Sequence, residues 1–396
     1  MAFQPNSYSL LSMKIVTGEE IIKNGYLIIK EGEITDFGSI NHYSNDENLP
    51  EIHLAENLYA SPGFIDIHIH GLNGADVMDA TRDSIMTMAK TLPKEGTTSF
   101  LGTTITQEKM ALEKALQNVN SFISSQHLDH VGSEVLGVHF EGPFINENRA
   151  GAQPPAHILE PSVEIFRHFQ SESGNHIKVV TLAPEGRDGL ELVKYLSDTG
   201  VISSIGHSDA LYTDVVKAME AGAEHITHFF NGMRGSHHRE PGVAGAGLAH
   251  PELFLEMIAD GIHIHPAMVK ATFLAKGVDN ILLITDSMRA KWLEDGEYEL
   301  GGQKVFVENH TALLEDGTLA GSVLKMNDAV RNMKKFSDCT IQEAIQMASA
   351  NPAKRLKVWD RKGSIAIGKD ADIVILDEEM QVKMTFCKGN LSYKGE

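Results

Sequence analysis

From residue 7 to residue 58, apolar positions come in short β-type runs (LLSMKIVT, GYLIIKEGEITDFG) separated by turns rich in Gly, Asn and Glu, with no sustained helical period. This pattern predicts a small β segment. After Ser61-Pro62-Gly63 the texture changes to short apolar runs alternating with longer amphipathic stretches, which predicts βα units and a parallel sheet. Eight such runs follow: GFIDIHIH, TTSFLGT, VLGVHFE, KVVTLAP, VISSIGH, EHITHFF, LEMIAD and ILLITD. Eight is the number that closes a (β/α) barrel. Helices are predicted between most of them, over 84–94, 107–125, 161–171, 189–199, 210–221 and 266–275. The sixth connection, 231–251, is rich in Gly and His rather than helix formers and is read as a long functional loop.

Beyond the eighth run lies a Gly-rich β-like insert at 298–321, then helical material to about residue 358. The tail GSIAIGKDADIVILDEEMQVKMTFCKG repeats the turn chemistry of the N-terminal segment, and chain ends often lie close together. The expected architecture is therefore α/β: a (β/α)8 TIM-like barrel over 62–358, with a small β-sandwich domain assembled from 1–61 and 359–396.

Composition narrows the partners. The chain has 396 residues, 42% of them hydrophobic and 22% charged, as in a globular protein too long for one ordinary core. Against 54 Asp and Glu stand 34 Lys and Arg, a formal charge of −20 that argues against nucleic acid and anionic membrane surfaces as partners. No run approaches the ~20 apolar residues of a membrane span, and the N-terminus lacks a basic region followed by an apolar stretch, so a cytoplasmic protein is expected. The two cysteines, Cys339 and Cys387, lack metal-site spacing, whereas histidine is abundant at 19 residues, so any metal chemistry must use His and carboxylate.

Candidate chemistry sits at the ends of the predicted strands. In GFIDIHIHG, period-two alternation sends Asp66, His68 and His70 to one face and Ile65, Ile67 and Ile69 to the other. A plain barrel strand would place Val, Ile or Leu inward, so two imidazoles there suit a metal better than packing. Other runs repeat the anomaly: Glu141 ends VLGVHFE, His207 ends VISSIGH, EHITHFF carries His228 and Asp286 closes ILLITD. Strand C-terminal ends converge at one barrel face. Four imidazoles and two carboxylates suit two divalent ions sharing a carboxylate bridge, with Zn, Fe, Mn or Co all compatible. His237, His238 and Arg239 in the sixth connection form a cationic group suited to a phosphomonoester. His139, His225 and His265 are read as structural or ligand-orienting, and His42, His53, His127, His130, His157, His168 and His176 as surface residues.

The ordered series GFIDIHIHG, HFEGPFIN, SIGHSDA, THFFNGM, HHREPG, ADGIH and LITDSM resembles the amidohydrolase superfamily and, within it, the family of N-acetylglucosamine-6-phosphate deacetylases, over nearly the whole chain. The resemblance implies that Glu141 bridges two metals where many superfamily relatives use a carboxylated lysine. It assigns His68 and His70 to one ion and His207 and His228 to the other, and makes Asp286 the proton-handling residue and a further ligand. It places Ala152, Asn231, Gly232, Arg239, His263, Leu319, Ala320 and Gly321 at the substrate. At Gln153 some members have His. Family members are often homodimers, in which Arg239 is able to reach a neighbour's site.

The implied reaction is metal-dependent deacetylation of N-acetyl-D-glucosamine 6-phosphate to D-glucosamine 6-phosphate and acetate, in amino-sugar catabolism. It makes chemical sense: an amide carbonyl is a poor electrophile and needs both a Lewis acid and water activated on the metal. Asp286 would take the water's proton and return it to the leaving nitrogen. A cyclic-amide hydrolase or deaminase of the same superfamily, or a barrel kept as a non-catalytic scaffold, are the rival readings.

Overall fold

The structure is a computed structural model that describes residues 7–126 and 132–395. The N-terminal segment forms β1 (Tyr8–Val16), β2 (Ile21–Lys30), β3 (Glu33–Ser39), β4 (Glu51–His53) and β5 (Tyr59–Pro62). The barrel begins with β6 (Phe64–Ile69), followed by a small hairpin, β7 (Gly71–Leu72) and β8 (Ala75–Asp76). It continues with β9 (Thr97–Thr103), β10 (Glu134–Glu141), β11 (Ile177–Leu182), β12 (Ile202–Ile205), β13 (His225–Ile226), β14 (Phe254–Met257) and β15 (Ile281–Leu283). Strands β6 and β9 to β15 pair in chain order, all parallel, as one eight-stranded sheet. The two edges meet without a regular ladder. The Asp286 N–H donates to the His68 carbonyl at 2.8 Å, Ile69 bridges Ser287, and the Thr285 hydroxyl donates to the Asp66 carboxylate at 2.5 Å. The barrel is thus nearly closed, and its closure is made by the residues that flank the candidate ligands.

Helices α1 (Arg82–Thr91), α2 (Lys109–Ser125), α3 (Val163–Glu172), α4 (Gly189–Asp198) and α5 (Tyr212–Ala221) follow the predicted stretches within a few residues. Their apolar stripes, such as Leu112, Leu116, Val119 and Phe122 on α2, bury against the outward side of the strands. The expectation of a long loop at 231–251 is corrected by α6 (Gly242–Ala249). Its sequence, GVAGAGLA, is poor in intrinsic propensity, and packing overrides that deficit: a Cβ on Gly247 would lie 2.6 Å from the Phe229 ring, so the helix sits where only small residues fit. Helix α7 (Pro266–Lys276) precedes β15. The insert forms the antiparallel β16 (Gly296–Leu300), β17 (Gln303–Glu308) and β18 (Thr311–Leu313), and α8 (Met326–Ser337), α9 (Ile341–Ala348) and α10 (Ala350–Arg355) complete the wall.

The tail supplies β19 (Ile373–Leu376), β20 (Val382–Cys387) and β21 (Asn390–Lys394), which join the N-terminal strands in the order β21-β20-β19-β5-β1-β2-β3, with β4 also on β1. Strand β1 exchanges β4 for β5 along its length across two register shifts, which bends the sheet around its own core of Leu10, Met13, Ile15, Ile373 and Phe386.

The barrel interior is polar where an ordinary barrel is aliphatic. His139 Nδ1 donates to the Ile67 carbonyl at 2.9 Å, so its Nε2 accepts from Thr181 Oγ1 at 2.7 Å. Thr181 then accepts from Thr227 at 2.7 Å, and Thr227 from Ser204 at 2.6 Å. The hydroxyls therefore form a one-way chain below the candidate ligands.

Candidate active site

Strand β6 carries His68 inward, and His70 stands immediately past its end; both are buried. Glu141 is the last residue of β10. The other three candidates lie just beyond strand ends: His207 after β12, His228 two residues past the short β13, and Asp286 three past β15. All three have a left-handed backbone, with φ of 48°, 31° and 48°. The sequence reading of EHITHFF as strand through His228 is thereby corrected. A non-glycine residue in this region carries strain of order 1 kcal/mol or more, and here the kink turns each side chain back over the barrel mouth.

All six groups meet. His207 Nε2 and His228 Nε2 are 3.0 Å apart and lie 3.2 and 3.1 Å from the same Glu141 oxygen, Oε1. His70 Nε2 stands 3.3 Å from Glu141 Oε2 and 3.3 Å from Asp286 Oδ1, and His68 Nε2 stands 3.5 Å from Glu141 Oε1 and from Asp286 Oδ1. In tetrahedral coordination with bonds of about 2.0–2.1 Å, neighbouring donor atoms lie about 3.3 Å apart. The donors are spaced as such a centre requires.

Hydrogen bonding fixes which ring nitrogens face the centre as lone pairs. The Nδ1–H of His207 donates to the Arg149 carbonyl at 2.8 Å, that of His228 to the Asn231 carbonyl at 3.0 Å, and that of His68 to the Glu256 carboxylate at 2.9 Å. In each neutral ring, Nε2 is then the lone-pair atom. Lone pairs and carboxylate oxygens so close together repel unless a cation lies among them, and His68 Nε2 is buried with no hydrogen-bond partner among the described residues. The residues present fit a bound divalent metal.

The electrostatics agree. Burial acts to strip the proton from His68 and His70, but Asp286 and Glu141 lift His68 well above the ordinary histidine value and His70 to about 9. Burial pushes Glu141 upward, yet His68, His207 and His228 hold it well below the carboxylate range; His68 and His70 likewise hold Asp286 down to about 2 against its burial. The cluster draws positive charge, and protons and a metal compete for the same lone pairs.

A cleft opens over the cluster, lined by Ala152, Asn231, Gly232, His263, Leu319 and Gly321 of the predicted substrate positions. Gly232 adopts φ 56°, and a Cβ there would come within 3.0 Å of His207 Nδ1. His263 donates from Nδ1 to Asp260 at 2.6 Å, which fixes the ring where it lines the cleft. Ala320 does not line the cleft: it is buried in the small core of the insert. His237, His238 and Arg239 are exposed and stand apart from the cleft lining, with Arg239 donating to His238 Nε2 at 2.8 Å. Gln153 bridges the site, donating to Glu141 Oε2 and accepting from the Thr106 N–H, both at 2.7 Å.

His139 and His225 are buried and His265 caps α7, in keeping with structural roles. His42, His53, His157, His168 and His176 are exposed or half-buried; His127 and His130 lie outside the described residues. Sequence reasoning missed Glu256, which orients His68, and Ile105, Leu300 and Thr318 in the cleft wall. A carboxylate inside the apolar run LEMIAD was the available signal for Glu256; nothing local marks the cleft wall.

A family model described as "Amidohydrolase family" matches residues 59–392. The chain belongs to the amidohydrolase family. This amidohydrolase is 48% identical over 387 residues to the N-acetylglucosamine-6-phosphate deacetylase of Bacillus subtilis (strain 168), covering 98% of this chain and 97% of that protein. Among solved structures, N-acetylglucosamine-6-phosphate deacetylase from Thermotoga maritima aligns at a TM-score of 0.87 and 34% identity, covering 98% of this chain and 100% of that one. A mutant of the Mycobacterium smegmatis enzyme in complex with N-acetyl-D-glucosamine-6-phosphate aligns at 0.91 and 26% identity, again over 98% and 100%. In this amidohydrolase the acid between the two pairs of imidazoles is Glu141.

Proposed function

We propose that this amidohydrolase is a divalent-metal-dependent deacetylase that converts N-acetyl-D-glucosamine 6-phosphate into D-glucosamine 6-phosphate and acetate in cytoplasmic amino-sugar catabolism. The observation that carries the reading is the convergence of the His207, His228 and His68 lone pairs on Glu141, beside Asp286, in a chain that shares 48% identity with a deacetylase of that name. In this reading the chain works as a homodimer with two ions of Zn, Fe, Mn or Co per protomer, and divides into a barrel at 62–358 and a small β domain from 1–61 and 359–396. His68 and His70 would hold one ion and His207 and His228 the other, with Glu141 a ligand available to both.

A divalent cation bound there supplies Lewis-acid polarisation of the amide carbonyl and lowers the pKa of water toward about 7. The chain's own groups do the rest. Asp286, ionised down to about 2, is a carboxylate at neutral pH and accepts the proton of the attacking water at Oδ1. It then gives that proton to the sugar nitrogen, which leaves as an amine. Asn231, Gly232, His263, Ala152 and the Leu319–Gly321 segment orient the sugar. Gln153 steadies the Glu141 carboxylate by its hydrogen bond to Oε2, and Arg239, with His237 and His238, meets the phosphate in its own or the neighbouring subunit's cleft.

The test is acetate release from the phosphorylated sugar by metal-replete protein. Turnover that Asp286→Asn lowers by at least about a thousandfold, with an unchanged circular dichroism spectrum, is expected from removal of a group used in two proton transfers. Absence of acetate release from the metal-replete protein refutes the function.

A further inference from the structure

The opposite end of the barrel holds a polar cavity with a cationic wall. It has a volume of about 460 Å3 and, among the described residues, its wall includes His176, Lys178, Arg355, Lys357 and Arg361. His176 and Lys178 stand at the start of β11 and Lys357 just past α10, so the cavity lies beneath the N-terminal ends of the strands, away from the candidate active site. In a chain of net charge −20 such a concentration of cations is unexpected.

Among the described residues the wall includes one carboxylate, Glu134, and it is already neutralised. Arg361 grips it with two hydrogen bonds of 2.8 Å, and Lys362 and Lys388 approach it at 2.9 and 3.3 Å. Arg361 is also shared with Asp370, and Arg355 with Glu224. Lys178 and Lys357 have no carboxylate partner among the described residues. Among the described residues, two ammonium groups, half-buried Lys178 and exposed Lys357, are thus uncompensated in one concave site. Next to them His176 is shifted toward its neutral form, by burial and then by Lys178.

We propose that this cavity is a second, non-catalytic binding site for a small phosphate dianion, free or as a monoester, held by Lys178 and Lys357. Two ammonium groups match a dianion better than a monovalent anion, and three rotatable donors on each reach tetrahedral oxygens without a rigid geometry. Arg355 and Arg361 line the same wall, each already paired with a carboxylate, so the free charge in the cavity is that of the two lysines. The site is independent of the deacetylase reading, because none of these residues touches the cleft at the other end of the barrel.

The test is lysine labelling of the full-length, metal-replete protein with an acylating reagent, read residue by residue by mass spectrometry. With inorganic phosphate at about ten times its dissociation constant, occupancy slows labelling of Lys178 and Lys357 about tenfold, while exposed Lys304 on the insert is unaffected. Chloride at equal ionic strength gives no protection. Lys357→Ala abolishes the phosphate protection of Lys178 and Lys357→Arg retains it, with unchanged turnover in both. A sugar monophosphate that protects at lower concentration than inorganic phosphate identifies the monoester as the ligand; equal potency identifies free phosphate. Protection by chloride alone, absence of protection by both phosphates, or protection of Lys178 that survives Lys357→Ala overturns the proposal.

Discussion

The hydrogen bond between His68 and Glu256 gives the sharpest handle on the centre. Glu256 is wholly buried on β14, and its Oε2 accepts the Nδ1–H of His68 at 2.9 Å, which leaves His68 Nε2 as the lone-pair atom. Glu256→Leu removes the acceptor. The His68 proton is then free to move to Nε2, where Glu141 and Asp286, each 3.5 Å away, would take it as a hydrogen bond. A metal must displace that proton. Loss of such an outer partner costs about 10- to 100-fold in affinity, or about 1.4–2.7 kcal/mol. His207 and His228 are oriented by the backbone carbonyls of Arg149 and Asn231, so an ion held there is indifferent to residue 256. Competition against a chromophoric chelator should therefore resolve one weakened and one unchanged binding step. Glu256→Gln, which keeps an acceptor oxygen, should lie between the wild type and Leu. Two unchanged steps, or two equally weakened ones, refute this account of ligand orientation.

Three further outcomes are expected. Arg239→Ala should raise KM for the phosphorylated sugar and leave the weak turnover of the free N-acetyl sugar unchanged, since a lost phosphate contact affects only the substrate that carries one; an unchanged KM for both removes phosphate recognition by this loop. Gly247→Ala should lower the melting temperature, because the new methyl would lie 2.6 Å from Phe229 and 2.9 Å from Ile226, an overpacking cost of about 1–3 kcal/mol against a helix-propensity gain of about 1 kcal/mol. A rise in melting temperature would show that propensity outweighs packing in α6. Burial pushes the Glu134 carboxyl up, but Lys362 and Arg361 outweigh it and hold it well below its ordinary 4.5. The folded state then binds fewer protons than the unfolded chain in acid, so the stabilisation from Glu134 is complete above pH 4.5 and is lost as the pH falls further. Urea midpoints measured against pH should drop below that point and should drop less steeply in Glu134→Gln; parallel curves would exclude Glu134 as a source of acid sensitivity.

Much of this was legible in the chain itself, for a physical reason. Polar residues that interrupt apolar strands are costly unless they serve something, so Asp66, His68, His70, Glu141, His207, His228 and Asp286 stand out against their neighbours, and barrel topology brings strand ends to one rim. The helices from α1 to α5 and α7 were visible as apolar stripes. Helix α6 was hidden because its glycines serve close packing on Phe229 and Ile226, a tertiary requirement that lowers local propensity. Glu256 was hidden because its partner, His68, lies 188 positions away. The cleft wall was equally obscure: Ile105, just past β9, and Leu300 look like core residues, and only the fold of the insert brings Leu300 to the mouth. The orienting carbonyls of Arg149 and Asn231 carry no side-chain signature at all.

The left-handed kinks at His207, His228 and Asp286 have a consequence for anyone who would make this protein more robust. Gly at each of these positions would relax the main chain by roughly 1 kcal/mol, so a screen that rewards only heat resistance would favour replacing the residues the chemistry needs. Durability and turnover are thus set against each other at three points on the rim, and selection for both at once must look for its gains elsewhere, in the surrounding helices.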